Sequence, residues 1–346
     1  MTTSWQRRGG GLPGASCWVL RTVSDTGCAS LERVRELPRQ LGPYRLVRRL
    51  GAGGMAEVFL ALAFGASGFE KRVVLKVLRP EHVGNPTYER MFLEEGRLGA
   101  RLSHRNLVGL HDLGYADGAY YVRLDYVEGA DLATLLARGL PGVPLALFVA
   151  DELALALAAV HGLEDEAGRP LGLVHRDVTP SNVLLSRLGE VKLADFGIAK
   201  ATLLREQTRS GVRKGTYAYM SPEQVRGGVL GPASDLFSLG ISLHELLTGR
   251  RPFDGETPLE TMERIREADV GPLADVDEDL RPLLRACLAR RPEERVASAE
   301  ALHRMLSPLR RARPEAGPPE LARWVREALG AAREVRPSEG TILEET

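Results

Sequence analysis

Apolar residues are interspersed with Arg over 44–50 and dominate 56–63, with Gly51, Gly53 and Gly54 between the two runs. This pattern predicts two strands joined by a glycine-rich turn. Val73–Leu78 predicts a third strand, and Leu107–Leu113 and Tyr120–Tyr126 predict two more. Across Tyr88–Leu102 the apolar positions return at helical spacing. The character changes at Asp131. Beyond it the apolar residues gather in long Ala/Leu-rich stretches, of which Pro144–His161 is the clearest helix, and a hairpin-like turn follows over 165–170. The chain thus reads as α+β, a small β-rich part with one main helix followed by a larger, mainly helical part. Residues 1–43 are rich in Gly, Ser and Arg, carry no sustained period, and are expected to form a disordered leader. Residues 309–320 are rich in Arg, Pro and Gly and read as a linker. Leu321, Val325 (with Trp324 beside it) and Leu329 then recur at helical spacing, so a short amphipathic helix over 321–335 is expected to dock on the larger part.

Composition narrows the classes. The 346 residues carry 46 Lys+Arg and 46 Asp+Glu, a formal net charge of zero. That balance argues against a general nucleic-acid binder. Cys17, Cys28 and Cys287 are scattered and odd in number, which suits neither a disulfide framework nor a metal site and points to a reducing compartment. No run of about 18 apolar residues is present, so no membrane span is expected. Arg7 and Arg8 precede an apolar stretch from Gly11 to Leu20, but two Gly and a Pro break it as a signal segment, and a cytoplasmic location is expected. Only five of the 46 basic residues are Lys (71, 76, 192, 200 and 214), which draws attention to each.

The glycine-rich stretch Gly51-Ala52-Gly53-Gly54-Met55-Ala56-Glu57-Val58 lies between strands. A strand rather than a helix after the glycines argues against a dinucleotide-binding turn, and GxxxxGK[ST] is absent. Such a loop can close its backbone N–H groups over phosphates, although glycine-rich turns also join ordinary hairpins. Lys76, in Val73-Val74-Leu75-Lys76, is flanked by apolar residues, and a buried cation needs an anion. The helix over 88–102 offers Glu94 and Glu95. The strongest signal is His175-Arg176-Asp177-Val178-Thr179-Pro180-Ser181-Asn182, followed eighteen residues past Asp177 by Asp195-Phe196-Gly197. Asp195 and Asn182 supply oxygen ligands for a hard divalent cation, and Asp177 leaves one carboxylate to accept a proton.

With these elements in this order the sequence resembles the protein kinase family, and in detail the bacterial, eukaryotic-like (Hanks-type) serine/threonine kinases, over about residues 44–308. Further matches are Gly215-Thr216-Tyr217-Ala218-Tyr219-Met220-Ser221-Pro222-Glu223, Asp235 in Asp-Leu-Phe-Ser-Leu-Gly, Arg295 in Arg-Pro-Glu-Glu-Arg, and a hinge-like segment from Leu124 to Gly129. The resemblance implies a bilobal protein kinase-like fold with an N-lobe at 44–124, a hinge at 125–130 and a C-lobe at 131–308. It implies an enzyme that moves the γ-phosphoryl group of ATP to Ser or Thr hydroxyls of protein substrates in signal transduction, with Mg²⁺, or Mn²⁺ in its place. Lys76, paired with Glu95, would hold the α- and β-phosphates under the Gly51, Ala52, Gly53 and Gly54 loop. Asn182 and Asp195 would hold the metal, and Asp177 would take the proton of the attacking hydroxyl. Val58, Val74 and Leu184 would sandwich the adenine, the backbone of Asp125 and Val127 would bond its edge, Leu124 would be the gatekeeper, and Asp131 would reach the ribose. Thr216 would contact the catalytic Asp. Glu223 and Arg295 would form a buried ion pair, and Asp235 would brace the catalytic loop.

Arg176 beside Asp177 implies regulation by a phosphate on the activation segment. That segment carries Thr202, Thr208 and Ser210, with five basic side chains against Glu206. Thr208 or Ser210 is the expected autophosphorylation site, through self-association for trans-autophosphorylation. Three residues depart from the family pattern. Ala56 replaces the third glycine of the loop. Gly99, one turn after Glu95, leaves a small residue on a face expected to pack more loosely. Thr179 stands where a Lys is usual, so no cation is supplied there to the γ-phosphate. The alternatives are a pseudokinase scaffold on the same fold, against which stand the retained Lys76, Asp177, Asn182 and Asp195, and a small-molecule phosphotransferase, against which stands the Ser221-Pro222-Glu223 segment.

Overall fold

A computed structural model of the chain describes residues 37–195 and 216–330. Six antiparallel strands form the first sheet: β1 (Arg39–Leu41), β2 (Tyr44–Ala52), β3 (Ala56–Phe64), β4 (Glu70–Leu78), β5 (Leu110–Ala116) and β6 (Ala119–Asp125), in the order β1-β2-β3-β4-β6-β5. Alternation places Leu46, Phe59, Ala61, Val73, Leu75 and Val77 in one apolar cluster with Tyr44 and Tyr121. The strand β1 was not foreseen. It pairs Arg39 with Leu46 and Leu41 with Tyr44, so ordered structure begins ahead of the expected boundary at 43. β5 starts three residues later than the apolar run suggests, because Leu107 and Val108 pair instead with Leu193 in the other lobe.

Helix α1 (Pro86–Ala100) opens on Asn85, whose side chain accepts from the Thr87 N–H, with Pro86 at a position that needs no donor. Its inner face packs on β5, and here the expectation of loose packing at Gly99 is corrected. A β-carbon at Gly99 would come within 2.9 Å of Leu110 Cδ1, and one at Gly96 within 3.1 Å of Leu113 Cδ1. The glycines let helix and strand approach closely.

The second lobe holds α2 (Leu132–Leu136), α3 (Val143–His161), a three-stranded sheet of β7 (Gly129–Asp131), β8 (Val183–Ser186) and β9 (Val191–Leu193), then α4 (Pro222–Arg226), α5 (Pro232–Thr248), α6 (Pro258–Glu267), α7 (Arg281–Cys287), α8 (Ala299–Arg311) and α9 (Pro318–Leu329). α3 is apolar on nearly all sides because it is the core of this lobe, packed against α5 and α8. It is also the helix, among the described residues, long and apolar enough to cross a membrane, with 72% of that stretch buried inside the lobe. Its two acids are matched: Asp151 by His303 (2.5 Å) and Arg310, Glu152 by Arg105 and Asn106 (2.7 Å each). Cys287 lies buried, which pushes its thiol up to about 12, while Cys17 and Cys28 lie outside the described residues.

The lobe extends past the expected boundary at 308. α8 continues through Pro308 to Arg311, where Arg310 stays anchored on Asp151 and over the Phe148 ring, so the linker shrinks to 312–317. α9 then docks as expected, starting at Pro318 rather than Leu321, with Leu321 and Val325 fully buried. Arg138 donates to the Ala328 carbonyl (2.5 Å) and Arg326 to that of Arg187 (2.8 Å). Residues 331–335 lie outside the described residues. A charge at Val325 would be buried without a partner, so Val325→Asp is expected to undock α9. Hydrogen exchange would then show the amides of 321–329 losing protection while α3 and α5 keep theirs.

Candidate active site

The two lobes enclose a cleft of about 520 Å³, roofed by the turn between β2 and β3, with β8 and the end of β9 on its floor. The volume suits a nucleotide-sized ligand. Gly51, Ala52, Gly53, Gly54, Val58, Val74, Leu124, Asp125, Val127, Asp131 and Leu184 all line it. The turn closes through a 2.7 Å bond from the Gly53 N–H to the Ala56 carbonyl. Asp131 also caps α2, both its carboxylate oxygens accepting from Thr134.

Lys76 is the centre of the polar end. Its place on β4 opposite Val58 and Val122 aims it at α1, where Glu95, rather than Glu94, is one 2.5 Å bond away. A second bond of 2.9 Å joins it to Asp195. Burial works against its charge, but Asp195 and Glu95 outweigh that penalty and raise its pKa, so Lys76 is a fixed cation. This closed arrangement ties α1, β4 and the end of β9 together.

The segment after α3 holds the other groups. Asp177 is buried, and Asn182 donates to its carboxylate (2.5 Å) and its carbonyl (2.9 Å). The Thr179 N–H bonds the Asp177 carbonyl as well, and the Ala194 N–H bonds the Asn182 carbonyl. Asp235 on α5 braces this segment from below, accepting the N–H groups of His175 and Arg176 (2.7 Å each). Arg176 and Asp195 both hold positive φ, 69° and 54°, outside the range that non-glycine residues usually adopt. Strain of this kind is kept only where the surroundings enforce it, and here the Arg176 N–H is held by Asp235 and the Asp195 carboxylate by Lys76. His175 is fully buried, and burial lowers its pKa against the pull of nearby carboxylates, so the imidazole is neutral at neutral pH.

The donor set fits a hard divalent cation. Asn182 uses its amide nitrogen on Asp177, which leaves its oxygen as a ligand, and Asp195 adds a carboxylate. Among the described residues lining the cleft the cationic side chains are Lys76 and Arg48. Thr179 itself is buried.

Glu223 and Arg295 meet as expected, in a bidentate pair at 2.8 Å twice, with Ser234 adding a 2.7 Å bond to Glu223 and Arg295 lying over Phe237. Phe196, Gly197, Thr202, Thr208 and Ser210 lie outside the described residues. Thr216 opens the 3-10 turn Thr216–Tyr219, and its side chain is not described.

Several working residues escaped the sequence reading. His161, at the end of α3, donates to Asp235 (2.8 Å). Gln224 completes a capping box with Ser221, which explains the Ser before Pro222, and its amide reaches the Arg176 carbonyl (3.0 Å). Met55, at the tip of the glycine-rich turn, is buried in a cluster with Leu78, Met91 and Phe92. Only the Ser-x-x-Gln spacing of the capping box was visible as a signal.

A family model described as the protein kinase domain matches residues 44–306. The chain belongs to the protein kinase family. Its similarity to individual kinases is substantial. It is 44% identical over 269 residues to the tyrosine-protein kinase MasK of Myxococcus xanthus, covering 75% of this chain and 42% of that protein. It is 38% identical over 217 residues to the serine/threonine-protein kinase PrkC of Bacillus subtilis, covering 62% and 32%. With the serine/threonine-protein kinase PknL of Mycobacterium tuberculosis it shares 37% over 264 residues, covering 75% and 63%. The chain thus spans less than two thirds of the length of each of these relatives. Among solved structures, the M. tuberculosis PknI kinase domain matches with a TM-score of 0.57 and 27% identity, over 78% of this chain and 98% of that one.

Proposed function

We propose that this chain is an ATP-dependent serine/threonine protein kinase acting in signal transduction, with Asp177 as the general base. The observation that carries the reading is the convergence of Lys76, Glu95, Asp195, Asn182 and Asp177 on one cleft, each held by the bonds described above. Val58, Val74 and Leu184 would hold the adenine of ATP, with the backbone of Asp125 and Val127 at its edge. Lys76 binds the α- and β-phosphates. Asn182 and Asp195 would hold Mg²⁺, which would supply charge neutralisation at the phosphate oxygens. Asp177 orients the substrate hydroxyl and takes its proton as the phosphoryl group passes. Fixed cations and dipoles aimed at oxygens that gain charge are what this reaction needs.

Regulation by activation-segment phosphate is part of the proposal. Arg176 supports it: among the described residues, its buried Nε has no hydrogen-bond partner, and a phosphate would supply one through a charge-assisted bond. Thr208 and Ser210 are the proposed sites, filled in trans by a second copy of the chain.

Phosphoamino-acid analysis of the autophosphorylated protein, with mass spectrometry of its peptides, checks both points. Phosphoserine or phosphothreonine within 202–216 is expected. Phosphotyrosine alone would transfer the assignment to tyrosine, and label confined elsewhere would remove the activation-segment role. Lys76→Met is expected to cut incorporation by about a hundredfold or more, because it removes the cation that is bonded to both Glu95 and Asp195 in the cleft.

A further inference from the structure

The connection between β4 and α1 contains a histidine that no part of the reaction so far uses. His82 ends the 3-10 turn Pro80–His82. Its Nε2 lies 2.9 Å from the carbonyl oxygen of Gly54, at the tip of the glycine-rich turn and 28 residues away in sequence. A carbonyl can only accept, so Nε2 carries the proton and donates. The ring is held for this. It stacks on Tyr88 in the first turn of α1, with centroids 3.8 Å apart and planes 9° apart. Beside it the Arg79 N–H bonds the Met55 carbonyl (3.0 Å), and the Met55 side chain is buried with Met91 and Phe92 of α1.

The peptide unit makes this contact consequential. In a planar trans peptide the carbonyl of Gly54 and the N–H of Met55 point in opposite directions. His82 does not line the cleft, whereas Gly54 and Met55 do. With the Gly54 carbonyl held on His82, outside the cleft lining, the opposed Met55 N–H is directed away from His82, and a phosphate oxygen in the cleft can accept it. The turn would otherwise sample many orientations, since Gly53 and Gly54 leave its backbone free.

We propose that His82 is a positioning residue for the nucleotide phosphates: it fixes the Gly54–Met55 peptide with its N–H facing the cleft and, through Tyr88, couples that loop to the helix that carries Glu95. The role rests on the kinase reading of the cleft. It lowers the ordering cost of the loop when a triphosphate binds. It leaves the adenine contacts untouched, because these come from the hinge and from Val58, Val74 and Leu184.

The test is calorimetric titration of the whole 346-residue chain, wild type and variant, with ATP plus Mg²⁺ and with adenosine. His82→Ala is expected to weaken ATP by about three- to tenfold, the worth of one hydrogen bond, and to leave adenosine unchanged. His82→Gln, which keeps an N–H donor of similar reach, is expected to recover most of the loss. In turnover the change should fall on KM for ATP rather than on kcat. Unchanged ATP affinity in His82→Ala, or an equal loss for ATP and adenosine, would overturn the positioning role while leaving the kinase reading intact. A wild type that binds no ATP would overturn both.

Discussion

Asp177→Asn is expected to lower the rate of phosphoryl transfer by about a thousandfold, within the usual range for loss of a general base, while ATP affinity stays within about twofold. The substitution keeps size and shape, and the new side chain still offers an oxygen to the Asn182 amide that now donates at 2.5 Å. What it removes is the carboxylate proposed to accept the hydroxyl proton. The groups proposed to bind nucleotide are elsewhere: Lys76 is tied to Glu95 and Asp195, and the proposed adenine site lies toward Asp125 and Val127. Rapid-mix measurement of transfer beside equilibrium ATP binding separates the two. A parallel loss of binding and transfer would mean that Asp177 supports the site rather than the reaction.

Arg295→Met is expected to destabilise the fold by about 3–5 kcal/mol, the cost of leaving one member of a buried pair unmatched. Arg295 is fully buried, joins both oxygens of Glu223, and also donates to the carbonyls of Ala233, Ala289 and Arg290. Acid should narrow the gap. Burial alone would raise the Glu223 pKa, but the bonds from Arg295 and Ser234 overcome it and hold the carboxyl at about 2 against an ordinary 4.5. A depressed carboxyl pKa contributes stability that is fully present above about 4.5 and lost as pH falls through about 2. The variant lacks that contribution, so urea unfolding should show the largest difference near neutrality and a smaller one below pH 4.5. A constant difference across that range would assign the loss to packing on Phe237 rather than to the ion pair.

Much of the arrangement proposed as catalytic was legible because its residues sit in short, ordered runs. Asp177 and Asn182 are five residues apart on one loop, and Asp195 follows at a fixed distance. The choice between Glu94 and Glu95 was not open to periodicity alone; the resemblance favoured Glu95, and the register of α1 against β4 places it on Lys76. What stayed hidden is contact between distant segments with no local signature. His161 reaches Asp235 across 74 residues, Gln224 reaches Arg176 across 48, and His82 reaches Gly54 from another loop. Gly99 misled because a small residue reads as missing bulk, whereas here the space is taken by Leu110. The Arg/Pro-rich composition near 309 misled in the opposite way: burial of Leu306 and anchoring of Arg310 hold α8 in helix past Pro308.

Thr179 makes turnover the property to measure, because nucleotide binding and phosphoryl transfer are separable on one fold. Incubating the purified chain with γ-labelled ATP, Mg²⁺ and a Ser/Thr-containing protein substrate, beside Asp195→Asn, puts the central claim most directly at risk. The account predicts label in the wild type as phosphoserine or phosphothreonine, dependent on the divalent ion, and none above background in the variant. Tight ATP binding by the wild type with no transferred label under Mg²⁺ or Mn²⁺ would contradict it.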